Sequence, residues 1–380
     1  MRKKELIQYK TPFYCYDLEL LSQTLDEAQT HAKKHDYHIH YALKANTNVR
    51  ILNLIQSKGF GADCVSGNEV KKAIETGFTS NQIAFAGVGK SDEEILIGLE
   101  NDIFTFNCES VEEIEVINEL ASQQNKVANI ALRLNPNVDA KTHKYITTGL
   151  EENKFGINSW ELEGLIEKLP SLTHIKVTGL HFHIGSQITS MTPFKNLCIR
   201  VNELNHWFLE RGIRLEHLNL GGGLGIDYQS PTENPIPDFE LFFGIFNQFL
   251  EPRPNQEIHF ELGRSLVANC GSLISKVLYV KKGIKTNFAI LDAGMTELIR
   301  PALYQASHSI ENLTSESIKK EFYDVVGPIC ESSDCFGKKI ELKETKRGDY
   351  IKIHSAGAYG EVMTSGYNLR EQNPVVYING

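Results

Sequence analysis

Residues 38–46 read HIHYALKAN, a short apolar run that ends on a lysine, Lys44, and passes into a polar turn. The same grammar recurs downstream in GADCV (61–65), IAFAG (83–87), IFTFN (103–107), IALRLN (130–135), VTGLHFHI (177–184), LEHLNL (215–220) and EIHFEL (257–262). Each run is compact and rich in β-branched, aromatic or other apolar residues, as expected of a strand in a parallel sheet covered on both faces. Amphipathic stretches with helix signals lie between the runs. Ser91 to Glu94 and Ser110 to Glu113 both have capping-box spacing, and residues 195–212 read as a long helix stopped at Gly212. Eight such repeats predict an α/β fold built on a closed (β/α)8 TIM-like barrel rather than an open Rossmann sheet.

Outside this stretch the pattern changes. After about Gly271, the segments KVLYVKK (276–282), NFAILDAG (287–294), FYDVVGP (322–328), DYIKIHSAG (349–357) and PVVYING (374–380) are strand-like. One helix-like stretch, SESIKKEF (315–322), interrupts them, and the β-rich TPFYCYD (11–17) is expected to join them. The expected organisation is a barrel over 20–270, followed by a mainly β C-terminal domain of 271–380 that also takes in 1–19.

Composition narrows the function classes. With 39 Lys+Arg against 48 Asp+Glu the formal charge is −9, which argues against a nucleic-acid partner. No apolar run is long enough for a membrane span, and MRKKELIQYK leads into no apolar stretch of the kind a secretory signal needs. Seven cysteines without a small-domain framework predict reduced thiols and a cytoplasmic protein. Cys330 and Cys335 have no matching second pair, so no metal is expected.

Active sites of such barrels lie at the carboxyl ends of the strands. Lys44 ends the first strand, where an ammonium is costly to desolvate and is either salt-bridged or poised as a nucleophile. In HFHIGSQ (181–187) the rings of His181 and His183 share a face, which suits a metal pair or a ring stacked on a planar cofactor. Gly221, Gly222 and Gly223 follow the seventh strand, a position where barrel phosphate sites commonly lie. Glu261 and Arg264 end the eighth, as a structural pair or as cofactor ligands. Together these supply what pyridoxal 5'-phosphate needs: an amine for its aldehyde, a ring face, a phosphate cradle and an acid for its pyridine nitrogen.

These motifs resemble the alanine-racemase-like (fold-type III) PLP-dependent decarboxylases and, within them, the diaminopimelate decarboxylase family. The likeness runs nearly end to end through TPFYCYD, YALKAN, DCVSGNE, KTHKYITTGLEENKFGI, HFHIGSQI, GGGLGIDY, ELGRS, DAGMTELIRPALY, GPICESSD and GAYGEVMTSGYN, in the family's order. The resemblance implies a PLP-dependent carboxy-lyase that converts meso-2,6-diaminoheptanedioate to L-lysine and CO2, the last step of lysine biosynthesis. By the same resemblance Lys44 bonds the cofactor aldehyde, His183 stacks on its ring, and Glu261 holds the pyridine nitrogen protonated. Ser186, Gly221, Gly222, Gly223, Arg264 and Tyr359 surround the phosphate, and Asp63 and Gly263 complete the cofactor set. Cys330 returns a proton to carbon, Glu331 receives the substrate's distal ammonium, and Arg264, Arg300, Tyr304 and Tyr359 contact the substrate. Cys330 and Glu331 come from a second copy, so an obligate homodimer with shared sites is implied.

Two positions depart from the family pattern: Leu262 stands where Pro is usual, and Asn68 where a second Gly is common. The polar segment 135–156 is expected to act as a lid. Related decarboxylases of ornithine, arginine or carboxynorspermidine are the nearest alternative, and a non-catalytic PLP carrier the alternative from another class.

Overall fold

In a computed structural model the protein is described over residues 6–138, 154–371 and 373–379. The chain divides into two units, one of Leu25–Gly225 with Asp238–Gly263, the other of Met1–Thr24, Ile226–Pro237 and Arg264–Gly380.

Strand β1 (Phe13–Asp17) belongs to the second unit. The first unit is a closed barrel of eight parallel strands: β2 (Tyr37–Ala42), β3 (Gly61–Cys64), β4 (Ile83–Phe85), β5 (Thr105–Cys108), β6 (Ala128–Arg133), β7 (Ile175–His181), β8 (His217–Asn219) and β9 (Glu257–Leu262). Closure is made by β2 on β9, with His38 opposite His259 and His40 opposite Glu261. The period-two alternation sorts the side chains. In β9, Ile258, Phe260 and Leu262 are buried on one face, while Glu257, His259 and Glu261 alternate with them on the other.

Helices cover the apolar face. In the helix Phe239–Phe249, Phe239, Phe242, Phe243 and Phe246 recur at helical spacing and are all buried. Phe242 and Phe246 meet Phe260 edge-on, with centroids 5.6 and 4.8 Å away. Each such pair contributes about 0.5–1.5 kcal/mol beyond the area it buries. The helix read over 195–212 spans Thr192–Glu210, and Gly212 follows with a left-handed φ of 78°.

Ser91 and Glu94 form the reciprocal capping box. At the second predicted box only half forms. Ser110 accepts from the Glu113 N–H, but the Glu113 carboxylate turns to the Glu109 N–H and to Lys90 Nζ, 2.6 Å from each. The Lys90 ammonium is buried, and a charged acceptor there outcompetes a backbone cap.

The second unit is an eight-stranded sheet that contains β1 with β10 (Gly271–Lys282), β11 (Asn287–Leu291), β12 (Ile310–Asn312), β13 (Lys320–Val326), β14 (Cys335–Lys343), β15 (Tyr350–Ile353) and β16 (Val375–Ile378). β1 runs antiparallel to β10 and parallel to β16, and Phe13 and Cys15 enter a core with Ile274, Leu313 and Val376. The helix expected over 315–322 does not form. Residues 315–319 are irregular and 320–322 open β13, which pairs with β14 from Lys320 opposite Lys343. The ladder supplies the backbone partners, and alternation from Phe322 to Val326 wins over the helical spacing.

Candidate active site

In the barrel unit, Lys44 lies on a short 3-10 turn, Leu43–Ala45, directly after β2. Its Nζ stands 3.4 Å from Asp63 Oδ2, and its side chain is 38% exposed whereas Asp63 is fully buried. The amine is thus reachable from solvent and anchored from below. Asp63 Oδ1 is buried with no hydrogen-bond partner. Burial, and then the charge of Glu261, push the Asp63 carboxyl up to about 8 against the opposing pull of Lys44.

Glu261 has the reverse environment. Its Oε1 accepts from Asn107 Nδ2 at 3.0 Å and Asn219 Nδ2 at 2.7 Å, while Oε2 accepts from His181 Nε2 at 2.9 Å. Burial pushes this carboxyl up, but His181 together with Lys44 and His183 outweighs burial and holds it below the usual range. The two interacting carboxyls are thus pushed in opposite directions, Asp63 up and Glu261 down, the pattern by which a site separates its charge states.

Beside them, burial, and then Lys44 and Arg133, keep the half-buried His183 neutral. Its Nδ1 accepts from the Gly222 N–H at 3.4 Å. The glycine run is required by crowding. A Cβ on Gly222 would stand 1.9 Å from the Glu261 carbonyl oxygen, and one on Gly221, whose φ is 66°, 2.1 Å from that of Phe182. Ser186, half-buried, follows Gly185 in the turn after β7, and Gly263 directly follows β9. Leu262 completes β9 opposite Tyr41, and Asn68 lies in the first turn of the helix Gly67–Glu75.

In the β unit, Arg264 Nη1 donates to the Tyr228 hydroxyl at 2.7 Å, and the Arg264 guanidinium lies 4.9 Å over the Tyr359 ring. Arg300 stands 4.9 Å over Tyr228. His308 Nδ1 faces the His354 carbonyl at 2.8 Å and must donate to it, so Nε2 accepts from Arg300 Nη1 at 2.9 Å. Arg300 is buried, its Nε has no partner, and among the described residues no carboxylate pairs with it. Buried guanidinium without a counter-charge is built for an anion. Tyr304 ends the short helix Arg300–Tyr304. Cys330 and Glu331 lie exposed on the turn before β14; the Cys330 N–H donates to Asn368 Oδ1 at 3.4 Å, and Tyr367 donates to Glu331 at 2.8 Å.

The structure therefore gathers Lys44, Asp63, His183, Gly221–Gly223, Glu261 and Gly263 in one unit, and Arg264, Arg300 and Tyr359 in the other. Cys330 and Glu331 lie on the turn before β14 of that second unit. Sequence reading missed Asn107, Asn219 and His181 as partners of Glu261, and Tyr228 and His308 as partners of the arginines. Asn219, two places before Gly221 on an alternating strand, carried a usable signal; His308 carried none. Residues 139–153 lie outside the described residues, and with them most of the expected lid; its two ends meet where Leu134 bridges Ile157.

Residues 19–268 match the family model of the pyridoxal-dependent decarboxylases, pyridoxal binding domain, so the barrel with its strand-end lysine defines a pyridoxal-dependent decarboxylase. The chain is 58% identical over 363 residues, 95% of its length and 94% of the relative's, to a diaminopimelate decarboxylase of Bacteroides thetaiotaomicron. A diaminopimelate decarboxylase of Haemophilus influenzae is 42% identical, with 98% and 89% covered. The crystal structure of diaminopimelate decarboxylase from Helicobacter pylori complexed with L-lysine superposes with a TM-score of 0.93 at 39% identity, covering 99% of this chain and 94% of that one. The chain belongs to the diaminopimelate decarboxylase family.

The barrel residues fit pyridoxal phosphate. A reachable amine, a ring held below its ordinary pKa, a buried carboxylate and a backbone cradle closed to any Cβ are present together, and the buried Asp63 Oδ1 is left for a further hydrogen-bond partner.

Proposed function

We propose that the chain is a PLP-dependent decarboxylase that converts meso-2,6-diaminoheptanedioate to L-lysine and CO2, working in the cytoplasm as a homodimer. The observation that carries this reading is the strand-end Lys44, 3.4 Å from the buried Asp63, in the same barrel as a buried Glu261 that accepts from Asn107, Asn219 and His181. Glu261, in its ionised form, would keep a proton on the pyridine nitrogen. When bound, the cofactor supplies an electron sink for the pair released as CO2 departs. Lys44 would hold the cofactor carbonyl, His183 would pack on the ring face, and Ser186, Gly221–Gly223, Arg264 and Tyr359 would be the residues that hold the phosphate.

Arg300, with Arg264, Tyr304 and Tyr359, binds the substrate, and the planar guanidinium suits the distal carboxylate. That second carboxylate favours this substrate over ornithine or arginine. Cys330 Sγ delivers the proton to the carbon that has lost CO2, and Glu331 receives the distal ammonium. Both are exposed in the single chain, and in the proposed homodimer they would complete the site of the second copy. Five of the seven thiols are buried, with burial pushing them up and leaving them inert, which suits a reducing compartment. Among the described residues no helix is long and apolar enough to cross a membrane.

The test is CO2 release by PLP-loaded protein offered meso-diaminopimelate, with ornithine, arginine and carboxynorspermidine in parallel and lysine assayed as product. Release with meso-diaminopimelate alone, matched by lysine, is expected. Release with another amino acid instead overturns the roles of Arg300 and Glu331; no release with PLP still bound overturns the decarboxylase.

A further inference from the structure

At the end of the barrel opposite Lys44, the first residues of β2 and β9 bring His38, Glu257 and His259 together. One ligand-type atom from each lies within 4.8 Å of the other two. His38 and Glu257 are exposed and His259 is buried. They line a cavity of about 340 Å³ with His40, Gln82 and Phe104. Nothing in the proposed decarboxylation uses any of them.

The hydrogen bonds behind the cluster fix which atoms face it. His40 Nδ1 lies 3.0 Å from the Gln82 carbonyl, which can only accept, so this nitrogen carries the hydrogen. In the neutral ring His40 Nε2 is then an acceptor, and its partner 2.8 Å away, His259 Nδ1, must donate. That leaves a lone pair on His259 Nε2, and it faces Glu257 Oε2 at 3.3 Å, acceptor against acceptor.

We propose that His38, His259 and Glu257 bind a single Zn2+ ion at the amino-terminal mouth of the barrel. Two ligands of a tetrahedral ion with bonds of roughly 2.0–2.1 Å stand about 3.3–3.4 Å apart. The His259–Glu257 separation of 3.3 Å meets that spacing. Two imidazoles and a carboxylate are a zinc donor set, and the exposed side leaves the fourth position to water. The relay from His259 to His40 to a backbone carbonyl is the outer support that orients a ligating imidazole. Because β2 and β9 are the strands that close the barrel, the ion joins its two ends. The absence of a metal expected from sequence rested on linear motifs, which cannot register ligands from the first and last strands.

The test uses holoenzyme dialysed against chelator and titrated with ZnCl2 alone, read by calorimetry and by metal content after gel filtration. One Zn2+ per chain at micromolar affinity or tighter is expected, together with a higher unfolding temperature. His38→Ala and Glu257→Gln lie on exposed side chains and should each weaken binding by at least about 10–100-fold, with cofactor content and lysine formation unchanged. No uptake by the wild type overturns the site. So does equal uptake by the wild type and both variants, which would put the ion elsewhere.

Discussion

Glu261 Oε2 accepts a hydrogen bond from His181 Nε2 at 2.9 Å, and both side chains are almost completely buried. With Asn107 and Asn219 on the other oxygen, every donor near this carboxylate favours its ionised form. Replacing Glu261 with Gln removes the charge but keeps the shape. We expect kcat to fall by about 10²–10³-fold with the cofactor retained, the scale of losing one electrostatic contact to the transition state. Steady-state kinetics with cofactor quantification checks it, and an unchanged kcat refutes it.

Lys44 is the reachable amine of the barrel, 3.4 Å from Asp63. Lys44→Ala is expected to abolish lysine formation and the visible absorbance that the cofactor shows in the holoenzyme. Retention of that band would place its attachment elsewhere.

Arg300 has no carboxylate partner among the described residues. Replacing it with Met should lower kcat/KM by roughly 10–150-fold, mainly through KM, corresponding to the 1.5–3 kcal/mol of a hydrogen bond to a charged group. A change confined to kcat would assign Arg300 to the chemical step.

His308 gives a pH signature. Burial, and then Arg300, lower its pKa from 6.5 to about 3. A group depressed in the folded state contributes stability above its unfolded value, and that stability is lost as pH falls from about 6.5 towards 3. His308→Gln keeps an acceptor for Arg300 and a donor for the His354 carbonyl but cannot titrate there. The slope of unfolding free energy against pH should fall across that window by up to about 1.4 kcal/mol per pH unit. Urea unfolding at several pH values measures it, and parallel curves for both proteins would contradict the assignment.

Cys330 and Glu331 are exposed on a turn of the single chain. Cys330→Ala alone should slow product formation and leave the cofactor bound. Mixed with Lys44→Ala, it should regain about a quarter of wild-type activity, because half the random dimers are mixed and each holds one intact shared site. No recovery on mixing argues that each chain completes its own site.

The apolar periodicities, the Gly212 stop, the crowded Gly221–Gly223 run and the strand-end placement of Lys44 were all legible before folding. Each is a local property, set by side-chain period, caps or φ, so a linear string suffices to specify a closed eight-stranded barrel with a lysine at its mouth. SESIKKEF was misread because its spacing fits a helix, whereas the pairing of Lys320 with Lys343 decides that 320–322 extend. Glu113 left its cap for Lys90, a choice made by a buried charge from another segment. What surrounds Glu261, and what faces Glu257, was set only when the barrel closed. His40 and His259 are 219 residues apart in the chain and 2.8 Å apart in space. Period-two alternation puts both histidines on the inner face, but only the register of the first strand against the last makes them partners, and that register is a property of the closed sheet.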